Sequence, residues 1–333
     1  MTKKIPAILI LMTTFGILLG GCVQQNGTPN NNNTHPTNLT GVIYVGSTNA
    51  NFSTIQEAIQ AAKNGATIYI KNGVYNELLD VNKTLTLMGE NKNTTILKFN
   101  PPSPSSQVPI ININAPNCSI ENLQITLSNK SVIAQGIIIN TKNNTIRNTI
   151  VTNLAEGIDL SAYSDSNTIV YNQITNNLIG INGISSNHNN ISHNTFSNNN
   201  QYNIYLSSNS DSNNVSFNTM KNATYGIRIK GSKDNIVFKN CITKTNIGLY
   251  CCCGASQNYF SNNTLIDNVQ NAEENANLRN IWYINTTGNY WDTYNGSDAN
   301  HDGIGDTPYT IPNAQNQDMY PLMAPPLDAP CNQ

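Results

Sequence analysis

The sequence predicts an all-β chain wound as a single-stranded, right-handed parallel β-helix with a short N-terminal capping helix. Three observations lead there: two independent anchors recur at one spacing, apolar residues alternate within each repeat, and charge is scarce while asparagine is abundant. The first anchor is Asn-x-apolar, at Asn148, Asn172, Asn194, Asn218, Asn240, Asn263 and Asn289, with steps of 24, 22, 24, 22, 23 and 26 residues. The second is mostly a glycine before apolar-x-apolar, at Gly136, Gly157, Gly180, Asn203, Gly226 and Gly248. A shared period of this size requires stacked structural repeats. Within a repeat, Ile158-Asp159-Leu160 and Ile227-Arg228-Ile229 alternate with strand period rather than helix period. Short β-branched runs end in Asn, Ser, Gly and Asp turns, so each repeat reads as one coil of about three strands. Stacking coils align inward Ile, Leu and Val, and recurrent asparagines at one turn can bond amide to amide along the axis.

The N-terminal cap comes next in the argument, because a solenoid must cover its open end. Ser53-Thr-Ile-Gln56 reads as a capping box, Ile55, Ala58, Ile59 and Ala62 as an apolar face, and Lys63-Asn64-Gly65 as a helix stop. Strands are expected at Thr67–Ile70 and Thr84–Leu87. This opening segment resembles that of pectin-esterase-like and pectate-lyase-like β-helices, which implies a pectin-lyase-like fold and no catalytic residues there.

Upstream, residues 1–21 read as a signal peptide: Lys3 and Lys4 precede an apolar run from Ile5 to Leu19. Leu19-Gly20-Gly21-Cys22 resembles a lipobox, which implies cleavage before Cys22 and lipidation of its thiol, placing the chain outside the cytoplasm on a membrane anchor. Residues 22–40, rich in Asn, Thr and Pro, read as a tether. The remaining divisions are the cap and first coils (41–100), the repeat coils (101–287) and a closing segment (288–333).

Net charge is −2 and 11% of residues are charged, against about 25% in an average soluble domain. No basic block marks a nucleic-acid partner. Cys22 aside, the six cysteines Cys118, Cys241, Cys251, Cys252, Cys253 and Cys331 allow 15 pairings, and spacing does not choose among them.

Gly288-Asn-Tyr-Trp-Asp-Thr-Tyr294, then Asp298 to Tyr309, then Met319-Tyr-Pro-Leu-Met323 resembles the closing segment of NosD-type β-helix proteins. These are also described as carbohydrate-binding and sugar-hydrolase β-helix domains. With the coils, the resemblance covers residues 41–323. Asp292-Thr293 stands where the family usually has Ser-Asp. The resemblance implies three roles: binding of polysaccharide or envelope partners, polysaccharide cleavage, or copper handling.

Several residues carry candidate chemistry. Asp298, Asn300, Asp302, the Ile304 carbonyl and Asp306 fall at positions 1, 3, 5, 7 and 9 of an EF-hand-type calcium loop, with Gly303 at position 6. Tyr309 occupies position 12, so the bidentate acid is missing unless Asp318 or Asp292 substitutes. The simpler reading is a polar turn. On the outer strand face the residues between inward pairs are Ile138, Asp159, Asn182, Tyr205, Arg228 and Tyr250. Tyr205, Arg228 and Tyr250, with Lys230 alongside, suit a sugar ring; ordinary cross-strand pairing is the plainer alternative. Asp159 and Arg228 stand three coils apart, about 14 Å at the usual strand spacing. Paired glycosidase carboxylates sit within about 10 Å, so this register argues against cleavage. The Asp-Pro-His triplet of alginate-epimerase-like β-helices does not occur. For copper, Cys251, Cys252, Cys253, His188 and His193 are the donors on offer. The plainer reading is buried or disulfide-linked cysteine. Trp282 and Trp291 are expected in the core of the last coil.

Overall fold

The computed structural model describes residues 37–99, 108–127, 134–275 and 280–332. The signal segment, Cys22 and most of the tether lie outside them. Among the described residues no helix is long and apolar enough to cross a membrane.

Each middle coil contributes three short strands, as in Thr145–Arg147, Ile150–Thr152 and Glu156–Leu160. The next coil repeats them at Thr168–Val170, Gln173–Thr175 and Ile179–Ile184. Pairing is parallel and in register: Ile146 meets Ile169, Val151 meets Ile174, and Ile158 meets Ile181. One face is a 10-stranded parallel sheet from Val42–Val45 to Tyr259–Ser261. The other two faces join into a 17-stranded sheet. They join because the later coils run both faces through one strand, Thr219–Lys230 and then Cys241–Cys252, each of 12 residues. The period-2 pattern thus produces the right-handed parallel β-helix that the sequence predicts. Register is continuous from Gly180 to Ile184, with Asn182 on Tyr205 and Ile184 on Ser207.

Inside, Ile146, Ile169, Ile191, Val215 and Val237 form one apolar ladder, and Ile158, Ile181, Ile204, Ile227 and Leu249 another, all fully buried. Each such side chain contributes about 1.5–3 kcal/mol from burial. The glycine anchor has a steric cause. A Cβ on Gly226 would lie 2.4 Å from the Gly248 carbonyl oxygen and 2.5 Å from Ile242. No side chain fits between coils that close.

Buried asparagines tie the coils together. The Asn194 Oδ1 accepts from both the backbone N–H (2.9 Å) and the side-chain amide (3.0 Å) of Asn172. Asn218 serves Asn194 in the same way, then Asn240, Asn263 and Asn289. Each Nδ2 also donates to a main-chain carbonyl, as from Asn218 to Ile191. A second ladder runs Asn144, Asn167, Asn189, Asn213, Asn235, Asn258, Asn280. At its head the first anchor slips by one residue. Thr149, not Asn148, occupies the ladder position and donates to Asn172. Asn148 sits outside at φ 50°.

Both ladders end on an acid. Asn280 donates to Glu274 at 2.7 Å, and Glu274 also accepts from the Trp282 indole and from Asn316. Asn289 donates twice to Asp318, which accepts from the Trp291 indole and the Tyr320 N–H as well. Trp282 and Trp291 are core residues of the last coil, as expected. Cys241 pairs with Cys331, which resolves one of the open disulfide choices.

The cap helix spans Ile55–Ala61 and buries Ile55, Ala58 and Ile59. Its cap differs in detail from the expected box. Thr54, not Ser53, is the N-cap, accepting from the Glu57 N–H at 3.4 Å. The distant Glu77 carboxylate takes the Ile55 and Gln56 N–H groups, both at 2.9 Å. The strand expected at Thr84–Leu87 runs instead over Thr86–Gly89, because its partner Thr67–Ile70 sets the register.

Removing one ladder amide leaves two N–H donors of Asn194 without their acceptor and takes one donor from the Ile191 carbonyl. Asn218→Ala should therefore lower stability by about 3 kcal/mol. Exposed Asn200→Ala should change it by less than about 0.5 kcal/mol; urea melts check both. Asp318 makes a second, pH-dependent prediction. Burial lifts its carboxyl to about 6, against the bonds from Asn289, Trp291 and Tyr320 that favour the anion. The folded state therefore binds the proton more tightly than the unfolded state does. This contribution favours folding at low pH and is lost as pH rises from about 4 to about 6. Asp318→Asn should flatten the pH dependence of the urea midpoint over that window.

Candidate functional site

The outer face of the strands around Tyr202–Ser207, Thr219–Lys230 and Cys241–Cys252 carries the densest side-chain chemistry. Register places Asn182, Tyr205, Arg228, Tyr250 and Glu273 in one column. A neighbouring column holds Ile179, Tyr202, Tyr225 and Ile247. The predicted residues Tyr205, Arg228 and Tyr250 therefore do come together on successive coils.

Tyr202 and Tyr225 complete the group and were missed, because the sequence reading followed the residues between inward pairs and those two positions further on, but not the residues before the glycine anchor. The glycine-anchor position separates them from that column: Tyr202 precedes Asn203, and Tyr225 precedes Gly226. An aromatic just before each anchor was the available signal. The Arg228 guanidinium lies 5.3–5.6 Å from all four ring centroids. Its Nη1 donates to the Tyr202 hydroxyl at 2.8 Å, and its Nη2 to the Cys252 sulfur at 3.5 Å. The rings stack, with centroids 4.8 Å apart for Tyr202–Tyr205, 5.2 Å for Tyr202–Tyr225 and 5.5 Å for Tyr225–Tyr250. Arg228 is thus a strut inside a ring of tyrosines rather than a free donor. Burial opposes its charge, but the Cys252 and Tyr202 contacts outweigh that and hold it firmly protonated. Lys230 is exposed at the rim beside Ser207 and Cys252.

Farther along the face, a carboxylate pair appears that the sequence reading did not bring together. The Gln135 side-chain amide donates to Glu156 at 2.9 Å and to Asp159 at 3.3 Å. Asp159 is pushed up to about 7, first by burial and then by the bond and charge of Glu156.

A second surface runs along a turn where the backbone is left-handed in coil after coil. Asn148, Tyr171, His193, Phe217, Lys239 and Asn262 all have φ between 50° and 60°. The rings at three of these positions are in contact, tilted at 4.9 Å for Tyr171–His193 and stacked at 5.0 Å for His193–Phe217. With Pro330 they line a groove of about 320 Å³. Left-handed backbone costs a non-glycine residue about 1–2 kcal/mol, and asparagine is the usual occupant.

Of the donors considered for copper, only Cys252 and Cys253 bring their thiols together. Cys251 is buried in the apolar interior, and burial holds its thiol well above its ordinary range. Cys252 is turned to Arg228, Cys253 is exposed, and Cys118 is buried against the carbonyls of Lys83 and Ala115. His193 is stacked on the turn and His188 is exposed. Among the described residues, no three His, Cys, Asp or Glu side chains group to hold a metal ion. These thiols and imidazoles do not fit a preformed copper site.

In the closing segment, Asp302 N–H donates to Asp298 Oδ1 and Asn300 Oδ1, and Gly303 N–H to Asp298 Oδ2. Asp306 accepts from Ser297 and Ala299 instead. Gly303 turns at φ 83°. Neither substitute for position 12 is free: Asp318 ends the amide ladder, and Asp292 accepts from Asp267 and Asn271. Tyr309 stacks on Trp291 at 4.4 Å.

Comparisons with known proteins agree on the fold. The pectate lyase Pel9A superposes with a TM-score of 0.53 at 16% identity, over 80% of this chain and 83% of that one. The XylC–xylose complex gives 0.50 at 9% identity, over 74% and 72%. Among curated sequences, the probable ABC transporter binding protein NosD of Stutzerimonas stutzeri is 34% identical over 70 residues, 21% of this chain and 16% of that protein. Its counterpart from Pseudomonas aeruginosa is 32% identical over 95 residues, 27% of this chain and 22% of that protein. The match thus spans less than a quarter of either relative's length. Residues 89–296, more than half of the chain, match the family described as periplasmic copper-binding protein (NosD). With the described residues of that span forming coils of a pectin-lyase-like helix, the chain belongs to the NosD family.

Proposed function

We propose that this chain is an extracytoplasmic β-helix protein, held to a membrane through Cys22, that binds polysaccharide on the face built around Arg228. One observation carries the reading: four tyrosines from three successive coils surround one arginine on the outer strand face. Tyrosine offers a ring for sugar C–H groups and a hydroxyl for sugar oxygens, at low entropic cost. The stacked rings and the Arg228 strut fix them before any ligand arrives. Exposed Lys230 adds a positive rim for acidic sugars. The family description supports a place outside the cytoplasmic membrane.

The buried Cys251 thiol and the Arg228 contact of Cys252 do not favour copper as the ligand of this chain. Cleavage has one observation behind it, the Glu156–Asp159 pair, and the same experiment decides it. Native electrophoresis through gels cast with different polysaccharides should show retardation in at least one gel with the polysaccharide intact. Tyr202→Ala and Tyr225→Ala should each weaken that retention about tenfold, equivalent to about 1.4 kcal/mol. Lys230→Ala should matter only for acidic polysaccharides and less at high salt. Unchanged mobility in every gel would remove the reading, and a cleared zone would replace it with an enzyme.

The segment from Asp298 to Asp306 is proposed as a weak structural calcium loop. Support comes from Asp298 and Asn300 turning oxygens to the same Asp302 amide. Without a bidentate acid its affinity belongs in the range of about 10⁻⁴–10⁻³ M. Chelator should lower the melting temperature by a few degrees, and Asp302→Ala should reduce that shift by the part this loop contributes. A melting curve indifferent to chelator in the unsubstituted chain contradicts the calcium loop.

A further inference from the structure

The face beside the tyrosines holds an unbalanced group of oxygens. Asp159 and Asn182 pair directly across neighbouring coils. Both are nearly buried, at 9% and 5% exposure. The Oδ1 of each is buried without any hydrogen-bond partner. Glu156 is beside them, joined to Asp159 through Gln135. Among the described residues neither acid forms an ion pair. Arg228, the cation of this column, lies two coils beyond Asn182 and is occupied by Tyr202 and Cys252. The two carboxyl groups share the single Gln135 amide, and the buried Oδ1 atoms of Asp159 and Asn182 have no donor, so the group carries a large desolvation cost. The lift on Asp159 is one sign of it. A bound hard cation removes that cost.

We propose that a hard divalent cation, calcium by its ligand chemistry, binds on the outer face between Glu156, Asp159 and Asn182. All three offer oxygen, which calcium prefers and copper does not. Three protein residues leave coordination positions open. Tyr205 is the next residue in the column after Asn182, so those positions face the neighbourhood of the tyrosine group. Sugar hydroxyls or carboxylates would complete the shell there, a role that rests on the polysaccharide reading. The cation site itself does not.

Terbium luminescence tests it, because terbium replaces calcium and is sensitised by nearby tyrosine. Tyr205 sits about 5 Å along the axis from Asn182 at normal strand spacing. The full chain in detergent, carrying Asp302→Ala to silence the closing loop, should give tyrosine-sensitised emission that calcium displaces. Asp159→Asn should remove the emission. Asn182→Asp adds a ligand charge and should tighten terbium binding several-fold. Far-ultraviolet circular dichroism shows that each variant is folded. No emission from the folded parent overturns the proposal. So does Asn182→Asp that binds no tighter and is destabilised at neutral pH, since Asn182 would then be a turned-over amide donating to Asp159. Terbium binding without polysaccharide retention would keep the cation site and discard only the polysaccharide reading.

Discussion

Parallel coils offer each other only backbone hydrogen bonds and apolar contact, and neither fixes which residue faces inward at a turn. Here the buried asparagine amide supplies that constraint. Its oxygen accepts two donors from the preceding coil, and its nitrogen reaches a carbonyl of that stack. Three satisfied bonds make the residue acceptable in the interior. Slipping a coil by one position would orphan all of them and turn every side chain to the other face. The ladders therefore define the register, and everything on the outside inherits it. They also explain why the two ladders end on Glu274 and Asp318: the last amides still hold donors, and a carboxylate at each ladder's end accepts them.

The tyrosine–arginine group is one consequence. Tyr202, Tyr205, Tyr225, Arg228 and Tyr250 lie apart in sequence, and only fixed register stacks them. The left-handed turn is another. Asparagine tolerates that backbone, and three successive coils put Tyr171, His193 and Phe217 there instead, at 5 Å or less between neighbouring rings. Contact between those rings offsets part of the backbone cost.

The period made the fold legible, because spacing survives in a sequence even when individual anchors drift. The drift shows at Asn148, whose neighbour Thr149 takes the ladder position with a hydroxyl that can also reach Asn172. It shows again at Thr54, where a capping pattern one residue upstream matched the motif but not the backbone. Glu77, which caps the same helix from 22 residues away, left no local trace. The site was half legible. Strict alternation found Tyr205, Arg228 and Tyr250, but the irregular glycine position interrupts the alternation and hid Tyr202, Tyr225 and Glu156. The Glu156–Asp159 pairing depends on that same irregularity, so counting coils between Asp159 and Arg228 addressed the wrong partner. The Cys241–Cys331 bond joins residues 90 positions apart, and no spacing rule chooses it.

The most direct test of the account is hydrogen exchange of the unsubstituted chain, read at the backbone amides of Asn172, Asn194, Asn218, Asn240 and Asn263. If the amide ladder holds the coils in register, these five exchange together, at the slow rate set by cooperative opening of the helix. Exchange at scattered rates, as fast as at Tyr171 or Asn262 on the turns, would mean that the coils open without breaking the ladder, and that something else sets the register.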